Sequence, residues 1–137
     1  MKIIFTLAAI LISGTIAAQT FTFSGGSGTE FDPYLISNHA DLNALNTMTN
    51  KGQTINRYYL LTKDLTEPYD GLIGTEASFN GHFDGGAHCI TLNIDRTWDR
   101  YPAGLFGTVT HGSIRNLAVD GKVRIFKGAA IVGNPSG

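Results

Sequence analysis

Hydrophobic and polar positions alternate along much of this chain, which is the period of a half-buried strand. Short apolar runs follow Gly52 and are separated by Gly, Asn and Asp residues, which tolerate positive φ and support turns. The pattern predicts strands over residues 58–61, 79–83, 90–94, 105–109, 114–119, 123–126 and 129–132. These strands could pair as two-residue hairpins or stack as successive coils.

One segment has a helical period instead. Asn38 can cap a helix at its N-terminus, with Asp41 at the third position, and Gly52 can end it. Three apolar residues between them fall at helical spacing: Leu42, Leu45 and Met48. The sequence therefore predicts one amphipathic helix of about three turns, which we expect to cover the open edge of the first strands.

Parts of the chain also resemble one another at a regular spacing. His88 lies five positions after Phe83, as His111 lies five positions after Phe106, and the two pairs are offset by 23 residues. The aliphatic residues that follow repeat at an offset of 25, as in Leu92 and Leu117. A period in the twenties indicates a repeat architecture. The fold expected is an all-β parallel β-helix, or β-solenoid, with an N-terminal capping helix.

Composition removes several classes of protein. The 137 residues include 17 glycines and have a formal net charge of -1, with 42% hydrophobic residues. That much apolar surface argues against a disordered chain. Ten basic residues nearly balance eleven acidic ones without a basic run, so nucleic acid is not expected as a partner. The single cysteine, Cys89, cannot form an internal disulfide and is interpreted as a small buried hydrophobic residue.

The first residues have the pattern of a Sec-type signal peptide. Lys2 precedes an apolar stretch from Ile3 to about Leu11, and the small residues Ala17 and Ala18 follow near the expected cleavage site. A membrane anchor is the alternative, but Ser13 and Gly14 interrupt a stretch that is shorter than the roughly 20 apolar residues needed to span a bilayer. We therefore expect a secreted or cell-surface protein with no stable membrane span after cleavage.

These patterns divide the chain into three regions. Residues 1–18 form the signal peptide, 19–56 an N-terminal cap with a Gly-rich loop and the helix, and 57–137 the β-helix coils. The chain stops within what looks like a fresh repeat. It is therefore expected to be the truncated start of a longer solenoid, or else to self-associate through its exposed last coil.

The order of five segments resembles the GLUG-motif proteins. The segments are 26–36 (GSGTEFDPYLI), 41–45 (DLNAL), 79–90 (FNGHFDGGAHCI), 104–107 (GLFG) and 114–117 (IRNL). GLUG-motif proteins are secreted bacterial surface proteins whose repeats also occur in immunoglobulin A-cleaving metallopeptidases and adhesin-like proteins. The resemblance implies a right-handed parallel β-helix that acts as a scaffold and has no catalytic residue of its own.

The sequence offers few groups for catalysis or metal binding. It contains no His-Glu-x-x-His motif, which a zinc peptidase would need. His82, Asp84 and His88 form a local donor cluster, but their spacing favours a turn-supporting role over a metal site. We therefore predict no catalytic residue, metal or cofactor.

Four residues are candidates for ligand binding. Asp95 and Asp120 are 25 residues apart and could stack one coil above the other, as a carboxylate pair of a carbohydrate-active enzyme would. Trp98 and Tyr101 belong to an aromatic loop that could stack on a sugar ring or pack over the side of the fold.

The function expected is a secreted or surface-displayed scaffold, an adhesin-like module that binds a glycan or a host surface protein without catalysis. The alternative is a polysaccharide lyase or glycoside hydrolase built on a β-helix. A third hypothesis is the non-catalytic N-terminal part of a metallopeptidase.

Overall fold

A computed structural model of the chain describes residues 20–97, 104–125 and 132–135. The predicted signal peptide at 1–18 and the aromatic loop with Trp98 and Tyr101 lie outside these residues. The described elements are, in chain order, β1 (Tyr34–Ile36), α1 (His39–Asn50), β2 (Tyr58–Leu61), β3 (Leu65–Tyr69), β4 (His82–Arg96), β5 (Phe106–Val109), β6 (Ser113–Ile125) and β7 (Val132–Pro135).

The long strand β4 is the centre of the main sheet. On one side its first residues pair with β2 and its later residues with β3, and β6 runs along its other side. β1 extends the sheet beyond β2, and β5 pairs separately with β7. Every one of these pairings is parallel, so the described strands form no hairpin.

The prediction of a right-handed parallel β-helix with an N-terminal capping helix is wrong. The described strands form a curled parallel sheet that makes half a barrel, together with the smaller two-stranded sheet. The spacing between paired residues is also uneven: 25 residues separate Tyr34 from Tyr59, whereas 31 separate His82 from Ser113. A stack of equivalent coils would require one repeated spacing.

The strand register predicted from the repeats is also wrong. Phe83 lies opposite Ile114 in β6 and not opposite Phe106, which pairs with Val132 in the smaller sheet. Leu92 lies opposite Gly121 and not opposite Leu117. Apolar residues that alternate with polar ones look the same after a shift of two or four residues, so the sequence pattern could not distinguish these registers.

The predicted helix is confirmed. α1 begins after Asn38, whose side-chain oxygen accepts a hydrogen bond from the Asp41 N–H at 3.0 Å. Its apolar residues are buried: Leu42, Leu45 and Met48. The helix does not cover the edge of β1, however. That edge is covered by the N-terminal segment, since the Ser24 N–H donates to Leu35 O and the Leu35 N–H to Gly25 O.

The strand predictions are confirmed in part. β2 has the predicted bounds, and β5 starts one residue after the predicted 105–109. The predicted strand 90–94 and the last two residues of 79–83 belong to the single strand β4, and 114–119 and most of 123–126 belong to β6. β3 was not predicted. The predicted strand at 129–132 lies almost entirely outside the described residues.

Aromatic side chains fill the middle of the core. Tyr59, Phe79, Phe83 and Phe106 are almost completely buried. The ring of Phe106 lies 5.0 Å from that of Phe79 and 5.4 Å from that of Phe83. Edge-to-face and tilted contacts at such distances stabilise the core beyond the burial of area. They connect the main sheet to β5.

A buried glycine sets the distance between β4 and β6. A Cβ atom on Gly85 would lie 2.4 Å from the carbonyl oxygen of Asn116 and 2.5 Å from Cα of Leu117. Both are backbone atoms, so neither can move aside without disturbing β6. The two strands therefore approach closely only because residue 85 has no side chain.

Truncation of Phe83 tests the core. We expect Phe83→Ala to lower the free energy of unfolding by about 3–5 kcal/mol, since it removes a buried ring from a packed cluster. The matched control is Phe31→Ala, because Phe31 is 96% exposed and its loss should change stability by less than about 0.5 kcal/mol. Urea denaturation of both variants measures the difference, and equal midpoints would contradict the described core.

Candidate binding groove

A groove of about 270 Å³ lies across the outer face of β2, β4 and β6. We call six of its lining residues the groove residues: Glu30, Tyr58, His82, Asp84, Ser113 and Arg115. They include two rings, a hydroxyl, two carboxyl groups and a guanidinium. A concave surface with a few convergent polar groups is the usual form of a small-molecule site.

Parallel pairing aligns the first row of the groove. Tyr58 lies opposite His82, and His82 lies opposite Ser113. The next residue along two of these strands, Tyr59 or Phe83, is buried in the core. Successive side chains of a strand point to opposite faces, so Tyr58, His82 and Ser113 all point outward. The rings of Tyr58 and His82 are 4.6 Å apart at 31°, and His82 Nδ1 lies 2.8 Å from Ser113 Oγ.

Asp84 and Arg115, which lie opposite each other on β4 and β6, form the second row of the groove, and Asp84 holds this row in place. Its carboxylate accepts hydrogen bonds from the Gly86 N–H at 2.9 Å, from Asn116 Nδ2 at 3.2 Å and from Arg115 Nε at 3.0 Å. The Gly86 N–H, followed by Asn116 and Arg115, holds the pKa of Asp84 below its usual range. Asp84 is therefore ionised at neutral pH and fixes the position of the Arg115 guanidinium at the groove.

The Gly-rich loop forms one wall of the groove. The backbone N–H groups of residues 27–29 all donate to the carbonyl oxygen of Asp32 at 2.9–3.1 Å. The Tyr58 N–H donates to Gly28 O at 3.0 Å and joins the loop to β2. These bonds fix the loop that carries Phe31, whose side chain is 96% exposed. Glu30 of this loop lines the groove, and Phe31 follows Glu30 in the chain.

The contact between His82 and Ser113 does not form a nucleophilic triad. Activation of a serine requires a base that is itself oriented by a third group, usually a carboxylate. Within the described ranges, no carboxylate is hydrogen-bonded to the His82 ring, and one face of that ring is packed against Tyr58. The arrangement can hold a ligand by stacking and hydrogen bonds.

The structure does not bring Asp95 and Asp120 together. Asp95 lies opposite Arg124, whereas Asp120 lies opposite Thr91, four residues away along the paired strands. Asp95 accepts hydrogen bonds from the N–H and hydroxyl of Thr97, which hold its pKa below the usual range. The predicted carboxylate pair is therefore not formed. Trp98 and Tyr101 lie outside the described residues.

The donor cluster predicted from sequence is divided between two places. His82 and Asp84 lie in the groove, whereas His88 Nδ1 lies 3.2 Å from Oδ1 of Asp64. The same Asp64 oxygen accepts the Cys89 N–H at 3.0 Å. In the described part of the chain, no group of three or more His, Cys, Asp or Glu residues could hold a metal ion.

The thiol of Cys89 is a poor nucleophile. Burial, and then the negative charges of Asp120 and Asp64, raise its pKa, so the reactive thiolate is scarce at neutral pH. The side chain is only half-buried. Cys89 is therefore less buried than its sequence-based interpretation as a small buried hydrophobic residue predicts.

A second cavity, of about 480 Å³, lies at the N-terminus of α1. Several of its polar groups already have partners within the protein. Asn38 caps the helix, His39 Nε2 lies 3.0 Å from Glu67 O, and Asp64 contacts His88 and Cys89. The groove is lined by more aromatic rings than this cavity, and we take it as the candidate site.

Sequence reasoning missed most of the groove residues. It considered His82 and Asp84 only as turn residues, and it did not single out Tyr58, Ser113 or Arg115 for binding. Cross-strand neighbours depend on register, which the apolar pattern left ambiguous. A local signal did exist for Phe31, since a large aromatic residue is unusual in a loop of Gly, Ser and Thr.

Substitution of Asp84 tests the second row. Its lowered pKa means that the ionised form stabilises the fold above the unfolded pKa of about 3.9, and that this stability is lost as the pH falls through the lower folded value. We expect Asp84→Asn to cost about 1 kcal/mol at pH 7 and the difference to disappear in acid.

Thermal unfolding between neutral and acidic pH measures this effect. The matched control is Asp70→Asn at an exposed position, which should leave the wild-type pH profile in place. A loss of stability in Asp84→Asn that stays constant down to the lowest pH would contradict the role assigned to the carboxylate.

Comparison with known proteins finds one informative similarity. No protein-family model and no solved structure matches the chain, so the resemblance to GLUG-motif proteins stays a prediction. The chain is 36% identical over 151 residues to a protein of Evansella cellulosilytica named "Putative Gly-rich membrane protein". The match covers 98% of this chain but only 16% of that relative's length.

Proposed function

We propose that this chain is a non-catalytic, adhesin-like binding module of a secreted or cell-surface protein and that its groove binds a carbohydrate. The observation that carries the proposal is the outward-facing row of Tyr58, His82 and Ser113 in the groove. The loop that lines the groove through Glu30 also carries the exposed ring of Phe31. The proposal concerns this module, since the relative that it matches is several times longer.

The chemistry of the groove suits a sugar ring. A sugar presents an apolar C–H face to an aromatic ring and hydroxyl groups to polar side chains, and the groove offers both kinds of partner. Asp84 and Glu30 can accept hydrogen bonds from hydroxyl groups, and Arg115 can donate them. The volume of about 270 Å³ is near the lower limit of about 300 Å³ for small-molecule sites. A single ring would fill it.

Two observations support an extracytoplasmic location. Residues 1–18 have the pattern of a signal peptide, and the relative in Evansella cellulosilytica is named as a membrane protein. Among the residues that the structure describes, no helix has the length and apolar character that crossing a bilayer requires. Export with display at the cell surface fits both observations.

Binding is favoured over glycan cleavage by the placement of the acids. The enzyme hypothesis relied on Asp95 and Asp120 as partners, and these two residues lie apart on β4 and β6. Asp84 of the groove is engaged by Arg115, Asn116 and the Gly86 N–H. A carboxyl group with a lowered pKa is a poor general acid at neutral pH.

Glycan binding by variants of the Gly-rich loop and of the first row tests the proposal. We expect the wild-type chain to bind a subset of glycans on an array, and Phe31→Ala and Tyr58→Ala each to weaken binding by about tenfold, the equivalent of about 1.4 kcal/mol. The control is Ile55→Ala, because Ile55 is 60% exposed and does not line the groove.

Three outcomes would contradict the proposal. The first is an array with no bound glycan, and the second is binding that both groove variants retain in full. The third is loss of binding in Trp98→Ala alone, which would place the site in the aromatic loop predicted from sequence. Phe31→Ala keeps the test independent of folding, because that side chain is exposed.

A further inference from the structure

Two edge strands of the main sheet, β1 and β6, differ in what lies along their outer edges. The N-terminal segment covers the outer edge of β1 through the hydrogen bonds of Ser24 and Gly25 with Leu35. β6 has 13 residues and pairs with β4, and no other strand in the described ranges pairs with it. A long strand with an open edge presents N–H and C=O groups that can bind another strand.

β6 also leaves apolar surface partly exposed. Four of its residues face inward and pack against the core while remaining only half-buried: Ile114, Leu117, Val119 and Val123. Their neighbours on β4 are covered much more completely, since Ile90, opposite Val119, and Ile94, opposite Val123, are at most 2% exposed. An additional strand beside β6 would bury these side chains.

Two residues of opposite charge flank Gly121 in β6. Asp120 precedes this glycine and Lys122 follows it, and both side chains are exposed. Gly121 has a φ of 99°, outside the extended region of a strand, so it interrupts the straight course of β6. The strand therefore carries an acidic residue directly before the bend and a basic residue directly after it.

We propose that the outer edge of β6 binds the same edge of a second copy of this chain, in an antiparallel pair with its twofold axis at Gly121. In this register Asp120 faces the partner's Lys122, and its own Lys122 faces the partner's Asp120. Val119 likewise faces the partner's Val123. The contact is isologous, as in most homodimers, and is independent of carbohydrate binding by the groove.

Two observations select this register. Moving the axis by one residue places Asp120 opposite itself or Lys122 opposite itself, and like charges directly opposite one another destabilise a strand pair. The bend gives a second reason. An axis through Gly121 places the bends of the two copies opposite each other, so that both strands change direction at the same point. Self-complementary charge at the bend favours a second copy over an unrelated partner.

Charge exchange tests the pairing. We expect sedimentation of the purified full chain to show a monomer–dimer equilibrium. Asp120→Lys and Lys122→Asp should each weaken it by at least about tenfold, because each places like charges opposite one another twice. The double variant Asp120→Lys with Lys122→Asp should restore dimerisation. The control, Glu76→Lys, makes the same change of charge at an exposed position away from β6.

The proposal fails under any of four results. These are a wild-type chain that stays monomeric at every concentration, single variants that dimerise like wild type, a double variant that does not recover, and open-ended oligomers in place of a closed dimer. A monomer would leave the edge to another occupant, such as a further segment of a longer chain. Both side chains are exposed, so every variant should fold. Asp120→Lys also removes the hydrogen bond that the Gly121 N–H donates to the Asp120 carboxylate at 2.6 Å, and recovery of the dimer in the double variant separates the loss of that bond from the charge effect.

Discussion

The parallel pairing along β4 is the constraint on which the rest of the structure depends. It places Tyr59, Phe83 and Ile114 in one line that faces the core, and Tyr58, His82 and Ser113 in the neighbouring line that faces outward. Successive residues of a strand alternate between faces, so the register that builds the core also builds the groove. A slip of one residue would turn the core-facing side chains outward and destroy both.

The outer features of the fold depend on this sheet through a few specific contacts. The aromatic cluster around Phe106 attaches β5 to the main sheet. At the other end, the buried carboxylate of Asp41 accepts hydrogen bonds from the Ser37 N–H at 2.8 Å and from Ser24 Oγ at 2.6 Å. Because Ser24 belongs to the segment that covers β1, one side chain joins that segment to the first turn of α1. A buried carboxylate requires such partners.

Local features could be predicted from the sequence, whereas features that depend on register could not. The helix was predictable because its cap at Asn38 and its apolar spacing lie within a few consecutive residues. The bounds of β2 follow from one short apolar run. The repeat alignment paired Phe83 with Phe106 because both are followed by histidine, but the structure places them in different sheets.

The groove could not be predicted from the sequence, because its position also depends on strand register. Tyr58, His82 and Ser113 are distant in sequence and become neighbours only through pairing, so no local motif contains them. The residues chosen from sequence, Asp95 and Asp120, relied on a spacing of 25 that β4 and β6 do not follow. The bulge between Asp84 and His88 is one cause, since it changes the offset along the two strands.

Nuclear Overhauser contacts between backbone protons of β2, β4 and β6 in isotope-labelled protein would measure the register of the main sheet. Parallel pairing in this register predicts N–H to Hα contacts that connect Tyr58 with His82 and His82 with Ser113. Close Hα–Hα contacts typical of antiparallel hairpins, or parallel contacts that connect Phe83 with Phe106, would contradict both the register and the groove built on it.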